Sequence, residues 1–89
     1  MTAKECGDFI AELRKENELT QKDLAERINV SDKAVSRWET GKGYPDVTSL
    51  VSLSEYFDVS VNELLSGKRL TDDNIKETAD ENLISVFEQ

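Results

Sequence analysis

Lys33, Ser36, Arg37 and Thr40 recur at the three- and four-residue spacing that places side chains on one face of a helix. Four hydrogen-bond donors on one face suit the acceptors of a nucleic acid. The planar guanidinium of Arg37 matches the O6 and N7 acceptors of guanine with two parallel hydrogen bonds. Lys33 suits a base or a phosphate, and the hydroxyls of Ser36 and Thr40 suit either. Lys42 follows just past the helix and suits the opposing backbone. Gln21 begins an earlier helix, where its amide and the free N–H groups of a helix N-terminus can hold a phosphate. Asp32 is the awkward member, since carboxylates repel phosphates. It either accepts from cytosine N4 or serves only the helix dipole, and the dipole is favoured. Each of these side chains also suits a plainly solvated surface. Trp38 resembles a base-stacking platform, but its spacing from Val35 assigns it to a core. Tyr44 suits a backbone contact and simple packing equally.

The elements that position these residues lie between Thr20 and Gly41, read as two short helices joined by a tight turn. Thr20 caps the first of them and Asp23 falls in its first turn, where negative charge suits the dipole. Leu24 and Ile28 share an inward face, and the small Ala25 beside them allows another helix to come close. Asn29 occupies the turn, where one residue must be left-handed and asparagine is among the few non-glycine residues that tolerate it. Val30 plugs the corner. Ser31 caps the next helix and joins the candidate contact set, Val35 and Trp38 form the buried stripe, and Gly41 ends the helix.

The chain resembles the XRE, Cro/cI-type (lambda-repressor-like) helix-turn-helix family. The likeness rests on Thr20-Gln21, Ala25, Ser31, Val35 and the run Ser36-Arg37-Trp38-Glu39-Thr40-Gly41. It continues through Pro45-Asp46, Leu50, Leu53, Phe57-Asp58-Val59-Ser60 and Val61-Asn62-Glu63-Leu64-Leu65, covering roughly residues 5 to 67. Asn29 departs from it, because many members carry glycine there. The resemblance implies an all-α, five-helix lambda-repressor-like domain. It implies a regulator, expected to be a repressor, that binds double-stranded DNA as a homodimer on a palindromic operator, with its third helix in the major groove. Similar domains also serve as antitoxins, so a module that binds a partner protein is the alternative.

Eighty-nine residues suit one small domain with a short appendage. The net charge of −8 would argue against DNA if it were evenly spread. It is not. Residues 1–69 carry ten basic and thirteen acidic side chains, whereas residues 70–89 carry one and six. Residues 20–42 carry five basic and four acidic ones. With a Debye length of about 8–10 Å at ordinary salt, the local sign governs contact. The one cysteine, Cys6, shares a face with Phe9, Ile10 and Leu13 and reads as a small buried hydrophobe. It permits no internal disulfide, which fits a cytoplasmic location. No apolar run is long enough to span a membrane, and the N-terminus lacks the continuous apolar core of a signal peptide.

The remaining elements follow the same logic. A first helix is expected over about Ala3 to Asn17, with Phe9, Ile10 and Leu13 inward and Arg14-Lys15 outside. Gly41 to Pro45 is a loop. Asp46 caps a fourth helix with Val47, Leu50, Leu53 and Phe57 at helical spacing, and Ser60 with Glu63 forms a capping box for a fifth that Gly67 stops. The domain is thus placed at 1–69. Residues 70–89 read as an acidic amphipathic helix with Ile75, Ala79, Leu83, Val86 and Phe87 in one stripe. That stripe folds back on the domain, meets a second copy, or leads into a segment beyond Gln89. Dimerisation is assigned to the fifth helix or this tail. The absence of histidine, of paired-cysteine metal spacing and of a phosphate-cradling loop argues against an enzyme, a metal or a cofactor.

Overall fold

A serine, threonine or aspartate starts each helix. In the computed structural model, which describes residues 1–70, the helices are α1 (Ala3–Glu16), α2 (Gln21–Ile28), α3 (Asp32–Glu39), α4 (Val47–Phe57) and α5 (Val61–Ser66). Thr2, Thr20, Ser31, Asp46 and Ser60 are their N-caps, each accepting a hydrogen bond from the backbone N–H three residues on. Thr20 with Asp23 and Ser60 with Glu63 close reciprocal capping boxes. The caps expected at Thr20, Ser31, Asp46 and Ser60 are therefore all present.

These caps carry a pH dependence. The Thr20 backbone N–H holds the Asp23 carboxyl below its ordinary value of 3.8, Ser49 does the same for Asp46, and the Ser60 backbone N–H holds Glu63 below 4.5. A carboxyl with a lower value in the folded state binds protons less readily there than in the unfolded chain. Its stabilisation is complete above the ordinary value and is lost as pH falls through the folded one. Urea midpoints are expected to hold steady from pH 7 to about 5 and to fall steadily below about 4. A profile flat to pH 3 would mean that the caps contribute nothing through their charge.

Packing joins the five elements into one all-α domain. Helix α1 lies against α3 and α5, α2 against α3 and α4, and α4 against α5. Ile10, Leu13, Leu24, Val35, Leu53 and Leu64 are wholly buried between them. Trp38 is 3% exposed and belongs to this core, as its spacing predicts. Cys6 is buried too, and desolvation pushes its thiol up from the ordinary range. Gly7 sets the distance between α1 and α3. A Cβ built there would meet the carbonyl oxygen of Trp38 at 1.8 Å, so only glycine permits the approach.

Three expectations need correction. Arg14 does not lie outside: its side chain is 13% exposed and pairs with Glu39 across the α1–α3 contact. Val47, the first residue of α4, is 76% exposed and not part of the core. Helix α1 also stops at Glu16, with Asn17 as its cap. The amphipathic stripe expected at Ile75, Ala79, Leu83, Val86 and Phe87 lies outside the described residues. Among the described residues no helix is long and apolar enough to cross a membrane.

Candidate nucleic-acid interface

The turn between α2 and α3 is built as its residues dictate. Asn29 adopts the left-handed conformation (φ 61°, ψ 49°). The Val30 N–H then reaches back to the Ala25 carbonyl at 2.9 Å, and the Val30 side chain packs against the core. Burial of Val35 and Trp38 fixes the rotation of α3, so Lys33 and Arg37 point outward and are exposed. At the other end Gly41 turns left-handed (φ 77°). Its N–H bonds the Trp38 carbonyl and the Lys42 N–H bonds that of Arg37, both at 3.0 Å, the paired closure of a Schellman motif. That reversal carries Lys42 back alongside the helix.

The result is an open groove lined by Lys33, Ser36, Arg37, Thr40 and Lys42. Five of the eight candidate residues meet there. Three are cations, and no acidic side chain lines the groove, which gives it the sign that a phosphodiester backbone requires. The local charge thus opposes that of the whole chain.

Not all five side chains are equally free. The Thr40 hydroxyl donates back to the Ser36 carbonyl at 2.9 Å, with the Arg37 carbonyl at 3.2 Å. Its proton is committed to the helix, so its oxygen suits a base amino group better than a phosphate. Ser31 and Asp32 stand at the N-terminus of α3, outside the groove lining. The Ser31 oxygen accepts from the Ala34 N–H at 3.1 Å and its proton remains available. Asp32 is exposed in the first turn, where its charge favours the dipole.

Gln21 is held by a network that the pattern of residues did not reveal. Its amide nitrogen donates to Glu39 Oε1 at 3.0 Å. Glu39 is in turn gripped by Arg14, whose Nε lies 2.7 Å from Oε2 and whose Nη2 lies 3.0 Å from Oε1. This bidentate pairing pushes the Arg14 guanidinium up from its ordinary value. The signal available was the position of Arg14 one residue after the buried Leu13, with Glu39 beside Trp38 at the far end of α3. Tyr44 is 44% exposed in the loop after Lys42.

Comparison with known proteins places this geometry. The helix-turn-helix family pattern matches residues 10–64. The HTH-type transcriptional activator BcrR of Enterococcus faecalis is 47% identical over 66 residues, covering 74% of this chain and 32% of that protein. The HTH-type regulator YobD of Bacillus subtilis (strain 168) is 32% identical over 80 residues, covering 90% of this chain and 69% of that protein. The chain spans from 32% to 57% of the length of BcrR and two other curated relatives. Among solved structures, the P22 c2 repressor in complex with a synthetic operator is similar at 32% identity and a TM-score of 0.67. That match covers 71% of this chain and 96% of the repressor chain. The family match over residues 10–64 and the likeness in fold place the chain in the XRE, Cro/cI-type helix-turn-helix family of DNA-binding transcriptional regulators, not in a family of enzymes.

Proposed function

We propose that the protein is a repressor that binds a palindromic operator as a homodimer, with α3 of each protomer in the major groove. The observation that carries this reading is the groove of Lys33, Ser36, Arg37, Thr40 and Lys42, cationic on a chain that is acidic overall. Arg37 reads guanine through its fork, Lys33 contacts a base or phosphate, and Ser36 adds a hydroxyl. Lys42 lies on the opposing backbone. Gln21 and Ser31 take phosphates at the starts of α2 and α3, and Asp32 serves the dipole. The resemblance to an operator-bound repressor supports this assignment.

A dimer follows from the size of α3. Eight residues make a helix about 12 Å long, enough to read only a few base pairs. Two copies about 34 Å apart double the contacts and account for operator symmetry. The dimer contact is assigned to helix α5, where Leu64 is buried and Val61 and Leu65 are only partly covered, or to residues 70–89. A regulator of this kind works where the DNA is, in the cytoplasm.

Selection of bound duplexes from a random pool, with wild type and Arg37→Ala in parallel, tests the proposal. Wild type is expected to enrich a palindrome, and the variant to lose preference at one symmetric position, at a cost of about 1–3 kcal/mol. An unchanged motif with Arg37→Ala would overturn the base-reading role. A motif without two-fold symmetry would overturn the dimer.

A further inference from the structure

We infer that Arg14 is a positioning residue for DNA binding: through Glu39 it holds the Gln21 amide in the orientation from which Gln21 grips a phosphate. The inference rests on the reading of Gln21 as a phosphate contact. Arg14 Nε and Nη2 donate to the two oxygens of Glu39, and Nη1 donates to the Leu19 carbonyl at 2.8 Å. Glu39 Oε1 also accepts from Gln21 Nε2. A carboxylate accepts only, so it forces the amide nitrogen, and not the oxygen, to face it. The second amide hydrogen and the backbone N–H groups opening α2 remain for an anion.

Charge makes Arg14 necessary to this arrangement. A bare carboxylate one hydrogen bond from a phosphate site would repel the phosphate. The Arg14 fork cancels that charge at contact distance, and with side-chain exposures of 13% and 7% the pair is little screened by solvent. The end of α1, the start of α2 and the last residue of α3 thus meet at one carboxylate. The same junction sets the register between a phosphate grip on α2 and the groove on α3.

A double-mutant cycle on DNA affinity separates positioning from a merely structural role. Arg14→Lys keeps the charge and loses the fork, and Gln21→Ala removes the amide. The full chain is titrated with a short mixed-sequence duplex at low salt, where phosphate contacts dominate. The temperature is one at which circular dichroism shows every variant folded. Gln21→Ala is expected to weaken binding about fivefold, the effect of one hydrogen bond. Arg14→Lys is expected to weaken it similarly when Gln21 is present and hardly at all when it is absent. Equal losses from Arg14→Lys in both backgrounds overturn the positioning role and leave the phosphate contact standing. No loss from Gln21→Ala overturns both. Glu39→Gln, which removes the charge pair and keeps the shape, completes the cycle if Arg14→Lys folds poorly.

Discussion

Gly7→Ala is expected to lower the thermal midpoint by about 10 °C or more, although alanine is the better helix former. Propensity alone favours the substitution by about 1 kcal/mol. Sterics oppose it. The new Cβ would lie 1.8 Å from the Trp38 carbonyl oxygen, 2.8 Å from its carbon and 3.1 Å from Glu39 Cα. These are backbone atoms, so no rotamer change relieves the contact and α1 must move off α3. Overpacking of this kind costs about 3 kcal/mol or more, which outweighs the propensity gain by about 2 kcal/mol. A shift of about 4–8 °C per kcal/mol in a domain of this size gives the stated loss. Gly43→Ala is the control, since nothing lies within 4 Å of a Cβ there, and its midpoint is expected to be unchanged. Melts followed by circular dichroism decide it. A midpoint equal to or above wild type for Gly7→Ala would show that the α1–α3 approach is looser than the geometry indicates.

Much of this fold is legible in single residues because local chemistry determines it. The caps at Thr20, Ser31, Asp46 and Ser60 announce helix starts through the partner their side chains supply to an orphan N–H. Asn29 and Gly41 announce the left-handed positions that frame α3. The outward face of α3 is readable as the complement of Val35 and Trp38, which is why Lys33, Ser36 and Arg37 fall on the groove as expected. What escapes such reading depends on residues distant in sequence. Periodicity tells where a side chain leaves its helix and not how far a long one reaches. Arg14 starts beside the core and extends over it to Glu39, 25 residues on. The need for Gly7 exists only because the backbone at Trp38 passes beside it. Val47 has the spacing of a core residue but sits at the first position of its helix and is exposed. The proton of Thr40 is likewise invisible to spacing, since the same hydroxyl serves a ligand or its own helix.

Glu39→Ala is expected to cost about 3 kcal/mol or more, the usual result of stranding one member of a covered ion pair. The Arg14 side chain is 13% exposed and that of Glu39 is 7%, so the guanidinium left behind would be largely desolvated. The Leu19 carbonyl remains as a partner for Nη1, but Nε and Nη2 lose theirs. Removing both partners should be milder than removing one, because apolar side chains of similar volume strand no charge. Arg14→Met with Glu39→Leu is therefore expected to unfold in urea within about 1 kcal/mol of wild type. Losses that simply add across the two single variants would mean that the cost came from packing and not from the pair. The double variant also separates two roles that coincide in the wild type. It restores the covering of α1 on α3 without restoring an acceptor for the Gln21 amide. A protein of near-native stability that nevertheless holds duplex DNA more weakly is the expected outcome. Such a result would assign the ion pair to orienting the Gln21 amide at the start of α2 more than to holding the fold together.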